Sequence, residues 1–287
     1  GGSGQAVWSL AAGEAGSYGV LMESGDAFGG NDAAGQVDFT GPVLVAGDAG
    51  WTNSSVAVRV TPRDDDGHGL LVRYRDETNF YRIALRSQVS TIGIPPGLSV
   101  QKCVDRAYAE VYRDNPVRYN PVAGQTYDLV ATIDGDALDV AVIADPEGAA
   151  DVYSYGPMTL SGVSNGRIGL LSWAMSRTEF DWVTVQDGAT LYVSSPYGAP
   201  SPPRGLNSSP PGTLVDARAG IAIETPGLRR LPVGWIGAGS VPARGSGSNV
   251  VFTLDGPSRL HWIWRTECRL SIVTRPGGSV SHPPSAW

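Results

Sequence analysis

Arg63-Asp64-Asp65-Asp66-Gly67-His68-Gly69-Leu70-Leu71-Val72-Arg73-Tyr74, followed by Asp76-Glu77-Thr78-Asn79-Phe80-Tyr81-Arg82-Ile83-Ala84-Leu85-Arg86, sets three carboxylates in a glycine-containing turn between two strand-like runs. Such a turn suits either a hard cation or a tight sheet edge. The runs on either side are short, apolar and rich in Val, Ile, Leu and Tyr, which predicts strands rather than helices.

The same texture extends along the chain. Strand candidates fall at 37–45, 55–61, 69–74, 80–87, 98–102, 107–112, 127–133, 138–143, 167–173 and 179–185. No long amphipathic helical pattern interrupts them, and 38 Gly with 21 Pro punctuate the runs. Ten or so short strands predict an all-β sandwich. Asp134-Gly135 between 127–133 and 138–143 signals a tight hairpin turn. The partial alternation of Asp128, Thr132 and Asp139 with apolar neighbours predicts that this hairpin has one wet face.

Composition excludes several classes. The 287 residues suffice for about two domains, and 41% hydrophobic content can fill their cores. A net charge of -7 without a Lys/Arg cluster argues against nucleic acid as partner. No run approaches the roughly 18 apolar residues of a membrane helix, so membrane insertion is not expected. Cys103 and Cys268 lie in different halves of the chain and are expected to be free thiols.

The chain divides by composition. Residues 1–5 look like a flexible linker or cloning remnant, 6–188 form the first β domain, and 189–270 form a small β-sandwich. A Pro/Ser-rich stretch at 194–203 lies near the start of the second domain. Residues 271–287 look like the opening of a further repeat, cut short, so a segment of a larger protein is expected.

Asp48-Ala49-Gly50-Trp51, Val56-Ala57-Val58-Arg59-Val60, Asp64-Asp65-Asp66-Gly67, Gly69 to Tyr74, Asn79-Phe80-Tyr81-Arg82, Gly166-Arg167-Ile168-Gly169-Leu170-Leu171-Ser172-Trp173 and Phe180-Asp181 together resemble the concanavalin A-like jelly rolls. Within these they resemble the laminin-G-like and thrombospondin C-terminal lectin-like group. That resemblance implies two stacked antiparallel sheets, one concave, calcium near the rim, and roles in adhesion or glycan binding. Val193-Ser194-Ser195-Pro196-Tyr197-Gly198, Gly234-Trp235-Ile236-Gly237-Ala238-Gly239-Ser240-Val241-Pro242 and Leu260-His261-Trp262-Ile263-Trp264-Arg265-Thr266 resemble a repeat of bacterial cell-surface and secreted proteins, which implies a spacer or binding module.

The carboxylate turn admits two readings. In one, Asp64 and Asp66, with Asp26, Asp32 or Asn31 from the Gly-rich early loop, supply part of the six to eight oxygens that calcium takes. In the other, three acids solvate a strand-connecting turn. Consecutive aspartates cannot all face one ion, so at most two of the three are direct ligands. Glu179 and Asp181 share a strand face by spacing, as paired glycosidase carboxylates do. Val183 occupies the third place of the Glu-x-Asp-x-Glu pattern of jelly-roll glucanases, so an edge or structural role is expected instead.

Gly162-Val163-Ser164-Asn165-Gly166 matches the nucleophile-elbow string but precedes a strand, which makes it a turn. His68, His261 and His282 are isolated and lie in no zinc spacing. Tyr108 and Tyr112, joined by Arg106 and Glu110, are placed by parity on one face of a strand, which would suit a polysaccharide. Tyr108, Tyr112 and Arg106 are the candidate ligand contacts, with a core or plain-surface role as the competing expectation. Trp235, Trp262 and Trp264 read as core and rim.

These readings converge on a noncatalytic, extracellular or cell-surface, two-domain β protein with calcium as candidate cofactor. Its expected partners are a polysaccharide or glycoconjugate, other domains, or copies of the same surface protein. The rivals are a structural subunit of a fibre or sheath, and a polysaccharide-degrading enzyme with its site on the concave sheet.

Overall fold

The computed structural model describes residues 6–11, 20–25, 41–89, 96–146, 151–225, 227–271, 276 and 285–286. Among these there are strands and turns and no helix. The first thirteen strands are β1 (Trp8–Ala11), β2 (Val20–Glu23), β3 (Val43–Ala46), β4 (Ser54–Pro62), β5 (Gly67–Asp76), β6 (Asn79–Arg86), β7 (Gly97–Val104), β8 (Ala107–Arg113), β9 (Tyr127–Asp134), β10 (Ala137–Ala144), β11 (Asp151–Thr159), β12 (Arg167–Trp173) and β13 (Thr178–Asp187).

They form a two-sheet jelly-roll sandwich. One sheet has seven strands in the order β1-β2-β13-β4-β9-β10-β11, and the other has six in the order β3-β12-β5-β6-β7-β8. The period of two that selects strands also builds the core, because alternate residues of each strand face the opposite sheet. Val56, Val58 and Val60 of β4 and Leu129, Ala131 and Ile133 of β9 meet Leu70 and Val72 of β5 and Tyr81, Ile83 and Leu85 of β6 in one cluster. Each fully buried Val, Leu, Ile or Phe contributes about 1.5–3 kcal/mol.

Asp134 pairs with Ala137 across a two-residue loop in which Gly135 has φ 55°, a conformation that favours glycine. Sequence alone does not pick out β1, β2 or β11, and in β11 Gly156 and Pro157 interrupt the run. Strand β11 is an edge of the seven-stranded sheet, where proline removes no ladder bond, and its register slips beside these residues.

After Asp187 come β14 (Thr190–Ser194), β15 (Gly205–Ser208), β16 (Thr213–Arg218), β17 (Ala222–Thr225), β18 (Leu228–Ala238), β19 (Arg244–Ser246), β20 (Asn249–Leu254) and β21 (Ser258–Cys268). Leu270–Ser271 pairs with Ser285–Ala286 beyond them. The sheet β15-β14-β21-β18-β17 packs one face against the β16–β20 ribbon around Leu191, Val193, Phe252, Trp235 and Trp262. Trp235 and Trp262 meet edge-on with ring centroids 6.1 Å apart, a separation usual for core aromatic pairs.

The other face of that sheet covers the outside of the seven-stranded sheet. Tyr192 packs with Ala57, Val130, Ala141 and Ile143. Its hydroxyl donates to Asp128 Oδ2 (3.2 Å), and Asp128 also receives Arg59 (2.8 Å). Ser55 and Thr190 hydroxyls lie 2.5 Å apart, and Arg259 Nη1 donates to Ser154 Oγ (3.2 Å). The hairpin face expected to be wet is therefore dry: Asp128 and Thr132 are buried, and Asp128 is satisfied within the seam. Both cysteines are free thiols, Cys103 buried and Cys268 exposed.

Candidate functional site: the outer face of the six-stranded sheet

Strand β6 sends Tyr81, Ile83 and Leu85 into the core, so Phe80, Arg82, Ala84 and Arg86 point outward. Arg82 and Arg86 are nonetheless only 1% and 2% exposed. A guanidinium so placed requires partners. Arg82 donates to Gln101 Oε1 through Nε (3.1 Å) and lies 4.9 Å over the Tyr108 ring. Arg86 donates to Asp66 Oδ1 (3.0 Å) and to Gln88, and lies 4.8 Å over Trp173. The face thus carries two arginine–aromatic stacks, four residues apart on one strand and hence roughly 13 Å apart along it.

Beside Arg82 lies a cavity of about 220 Å³. Val43, Leu71, Phe80 and Leu171 give it apolar lining, and Tyr74, Glu77 and Arg82 supply polar groups. Tyr74 stacks on Phe80 with ring centroids 5.9 Å apart. Burial, with the charges of Glu77 and Asp76 adding to it, raises the Tyr74 pKa, so its hydroxyl is a neutral donor and acceptor at neutral pH. The β5–β6 turn that carries Glu77 is held by Asp76 Oδ1, which accepts from the Thr78 amide (2.8 Å), the Thr78 hydroxyl (2.6 Å) and Asn79 Nδ2 (3.0 Å). Glu77 pairs with Arg106 at 3.5 Å.

Two of the three candidate ligand contacts meet at this place. Tyr108 stacks on Arg82 and sits edge-on to Phe80, and Arg106 reaches the rim through Glu77. Tyr112 does not join them. Val100 pairs with Tyr112 and Gln101 with Glu110, so β8 has a bulge at Val111 that reverses the alternation. Tyr112 packs edge-on against Tyr155 at the core, while Tyr108 stays outside. Shared parity between Tyr108 and Tyr112 is thus overturned by the bulge.

The carboxylate turn precedes β5. Asp64, Asp65 and Asp66 each bring one oxygen within 4.8 Å of the others. Those of Asp64 and Asp66 are already engaged. Asp64 accepts from the amides of Asp65 (2.9 Å) and Ser176 (3.0 Å), tying the turn to the β12–β13 loop. Burial alone would raise the Asp64 pKa, but these hydrogen bonds hold it below the usual carboxylate value. Asp66 is bound to Arg86 and its pKa is raised, chiefly by burial, against the pull of that cation. A calcium ion here would have to share the turn with the Arg86 guanidinium on Asp66 Oδ1 and with the two amides on Asp64. Asp26, Asp32 and Asn31 lie outside the described residues. What the turn does is anchor Arg86 beneath Trp173.

Other chemical candidates resolve into structural roles. Glu179 is held by Arg63 (2.8 Å) and Arg177 (2.5 Å). Burial would raise its pKa, yet the bond to Arg63 and both cations bring it below the usual value, the reverse of what a general acid requires. A bulge between Phe180 and Val183 further breaks the expected alternation at Asp181. Ser164 and Asn165 form a loop bonded to Arg75, Asn165 Oδ1 accepting at 2.6 Å, which bears out the turn reading. His68 is wholly buried on β5.

Arg82, Arg86, Gln101 and Glu77 were not singled out by the sequence reading. The signal was present in Phe80-x-Arg82-x-Ala84-x-Arg86: two arginines four residues apart on one face of a strand whose other face carries Tyr81, Ile83 and Leu85.

No protein-family profile matches the chain, and no curated protein matches it. Solved structures similar to it include the carbohydrate-binding module CBM66 from Bacillus subtilis, at 14% identity and TM-score 0.39 over 64% of this chain and 96% of that one. The GH43 protein BlXynB from Bacillus licheniformis matches at 14% identity and TM-score 0.39, over 58% of this chain and 33% of that one. CG-16, a homodimeric agglutinin from chicken liver, matches at 12% identity and TM-score 0.36, over 50% of this chain and 98% of that one. With every one of these TM-scores below 0.5, the chemistry of this chain rests on its own geometry.

Proposed function

We propose that the chain is a noncatalytic carbohydrate-binding segment of an extracellular or cell-surface protein, and that it takes its ligand at the outer face of the six-stranded sheet. One observation carries the reading: a cavity with an apolar lining is edged by Tyr74, Glu77 and the Tyr108-stacked Arg82. A sugar ring presents a C–H face and a girdle of hydroxyls, and an aromatic and aliphatic surface with a few fixed donors and acceptors complements both. At about 220 Å³ the cavity is smaller than drug-sized pockets, which begin near 300 Å³, and is suited to one terminal ring with the remaining glycan outside.

Binding without turnover is supported by the lining itself. Glycoside hydrolysis uses two carboxylates flanking the scissile bond, and Glu77 is the one carboxylate among the described residues of the cavity. The binding does not call on calcium: two backbone amides hold the Asp64 carboxylate and Arg86 holds Asp66 Oδ1. A glycan array probed with the wild-type chain and with Tyr108→Ala tests the reading. Retention of a defined glycan class by the wild type, lost in the variant, supports it; no retained glycan, or equal retention by both, refutes it.

A further inference from the structure

The seam between the two strand groups is closed at one end and open at the other. Register aligns Tyr192 with Arg259 and Ser194 with His261, so Arg259, His261 and Ile263 all face the seven-stranded sheet. Along that row exposure rises from 2% at Arg259 and 5% at His261 to 37% at Ile263. Ile236 pairs directly with His261 and shares the face. The open end is a groove of about 350 Å³, within the usual range of roughly 300–1,000 Å³ for small-ligand sites. Val152, Ile236 and Ile263 give it an apolar lining, and Tyr197 and Trp264 an aromatic one.

Trp264 and Thr266 have the opposite parity to Ile263, and Trp264 packs on the second domain's core. They therefore line the groove at the edge of β21 that β14 leaves unpaired beyond Ser194, and there the aromatic lining is fixed from several sides. Trp264 Nε1 donates to Ser195 Oγ (3.0 Å), and Tyr197 meets the indole edge-on at 5.8 Å. The Arg230 guanidinium lies 3.6 Å over the Tyr197 ring. Gly198, at φ +66°, admits the indole where a Cβ would come within 2.9 Å of it. A ring held this way loses little freedom when a ligand stacks on it. Asp151 and Thr266 are the exposed polar groups of the lining, and Arg230, which pairs with Thr266 across the sheet and lies over Tyr197, sets one cation at its edge.

We propose that this groove is a second binding site, for a neutral saccharide, with a sugar ring against Trp264 and Tyr197 and its hydroxyls bonded to Asp151 and Thr266. With Asp151 offset by Arg230, the groove carries no net charge to draw in uronates or sulfated sugars. The groove lies on the far side of the seven-stranded sheet from the Arg82 site, so the two sites bind separately. A chain with both would bridge two strands of a polysaccharide, or bind one more tightly by effective concentration.

Titration of the whole chain with xylohexaose, cellohexaose and mannohexaose, with hexagalacturonate as the anionic control, tests this by the indole N–H resonances in two-dimensional NMR. The Trp264 resonance is identified as the one missing from Trp264→Phe. The expected result is a saturable shift of that resonance with at least one neutral hexasaccharide. Trp264→Ala should weaken that affinity about tenfold, with Trp264→Phe between the two. The shift should survive Tyr108→Ala, whose loss of binding elsewhere reports on the sheet-face site alone. No shift with any neutral sugar, a shift with hexagalacturonate only, or unchanged affinity in a folded Trp264→Ala overturns the groove while leaving the sheet-face reading to its own test.

Discussion

Acidification should unfold this protein through two buried histidines, and the size of the effect follows from where they sit. His68 is fully enclosed on β5, its Nδ1 3.2 Å from the Asp66 carbonyl and its ring 5.9 Å from that of Tyr127. Burial lowers its pKa from 6.5 to about 4, only partly opposed by the Asp66 carbonyl. His261, bonded to Ser194 Oγ at 2.9 Å, is lowered to about 3 by burial and by the Arg259 charge. A base whose pKa falls on folding binds protons more readily in the unfolded chain. Its contribution is complete above the unfolded value of about 6.5 and is lost as pH falls towards the folded value. Between pH 7 and about pH 4.5, each histidine should withdraw about 2 to 3 kcal/mol. Urea unfolding followed by tryptophan fluorescence at several pH values measures this. His68→Leu should lower the stability lost between those pH values by the share of one histidine, whatever it does to stability at pH 7. An unchanged difference in His68→Leu would refute the reasoning.

Three further outcomes follow from the same contacts. Asp128→Ala leaves Arg59 and the Tyr192 hydroxyl without their common acceptor in the seam, and should cost about 3 kcal/mol in urea unfolding; a loss under about 1 kcal/mol would show that the seam does not depend on it. Glu179→Gln should change no reducing-end release from any polysaccharide, because the wild type should show none; release that the substitution abolishes would make the protein an enzyme. Melting curves in chelator and in excess calcium should superimpose, since both Asp64 oxygens accept amides and Asp66 Oδ1 is paired with Arg86; a calcium-dependent rise would return the metal to the turn.

The strands were legible because they alternate. The runs around Val56–Val60, Leu70–Val72 and Tyr81–Leu85 send every second residue into one core, and that pattern is local. What was not legible depended on contacts between distant segments. Asp128 looks solvated in sequence and is buried, because Tyr192 and Arg59 arrive from other strands. Tyr112 looks like a neighbour of Tyr108 on one face, and a single bulged residue at Val111 separates them. Asp64 and Asp66 look like cation ligands until Ser176 and Arg86 reach them from other parts of the chain. Tyr108 and Arg106 could be singled out in sequence by their shared parity, whereas Arg82, outward on an otherwise buried strand, required the sheet to be assembled.

A glycan should bind at the cavity beside Arg82. Isothermal titration of the glycan selected on the array against wild type, Tyr74→Ala and Glu77→Gln tests it most directly. Saturable wild-type binding that weakens about tenfold or more in both variants, with their melting temperatures preserved, is the predicted result. Wild-type affinity in both folded variants would contradict it.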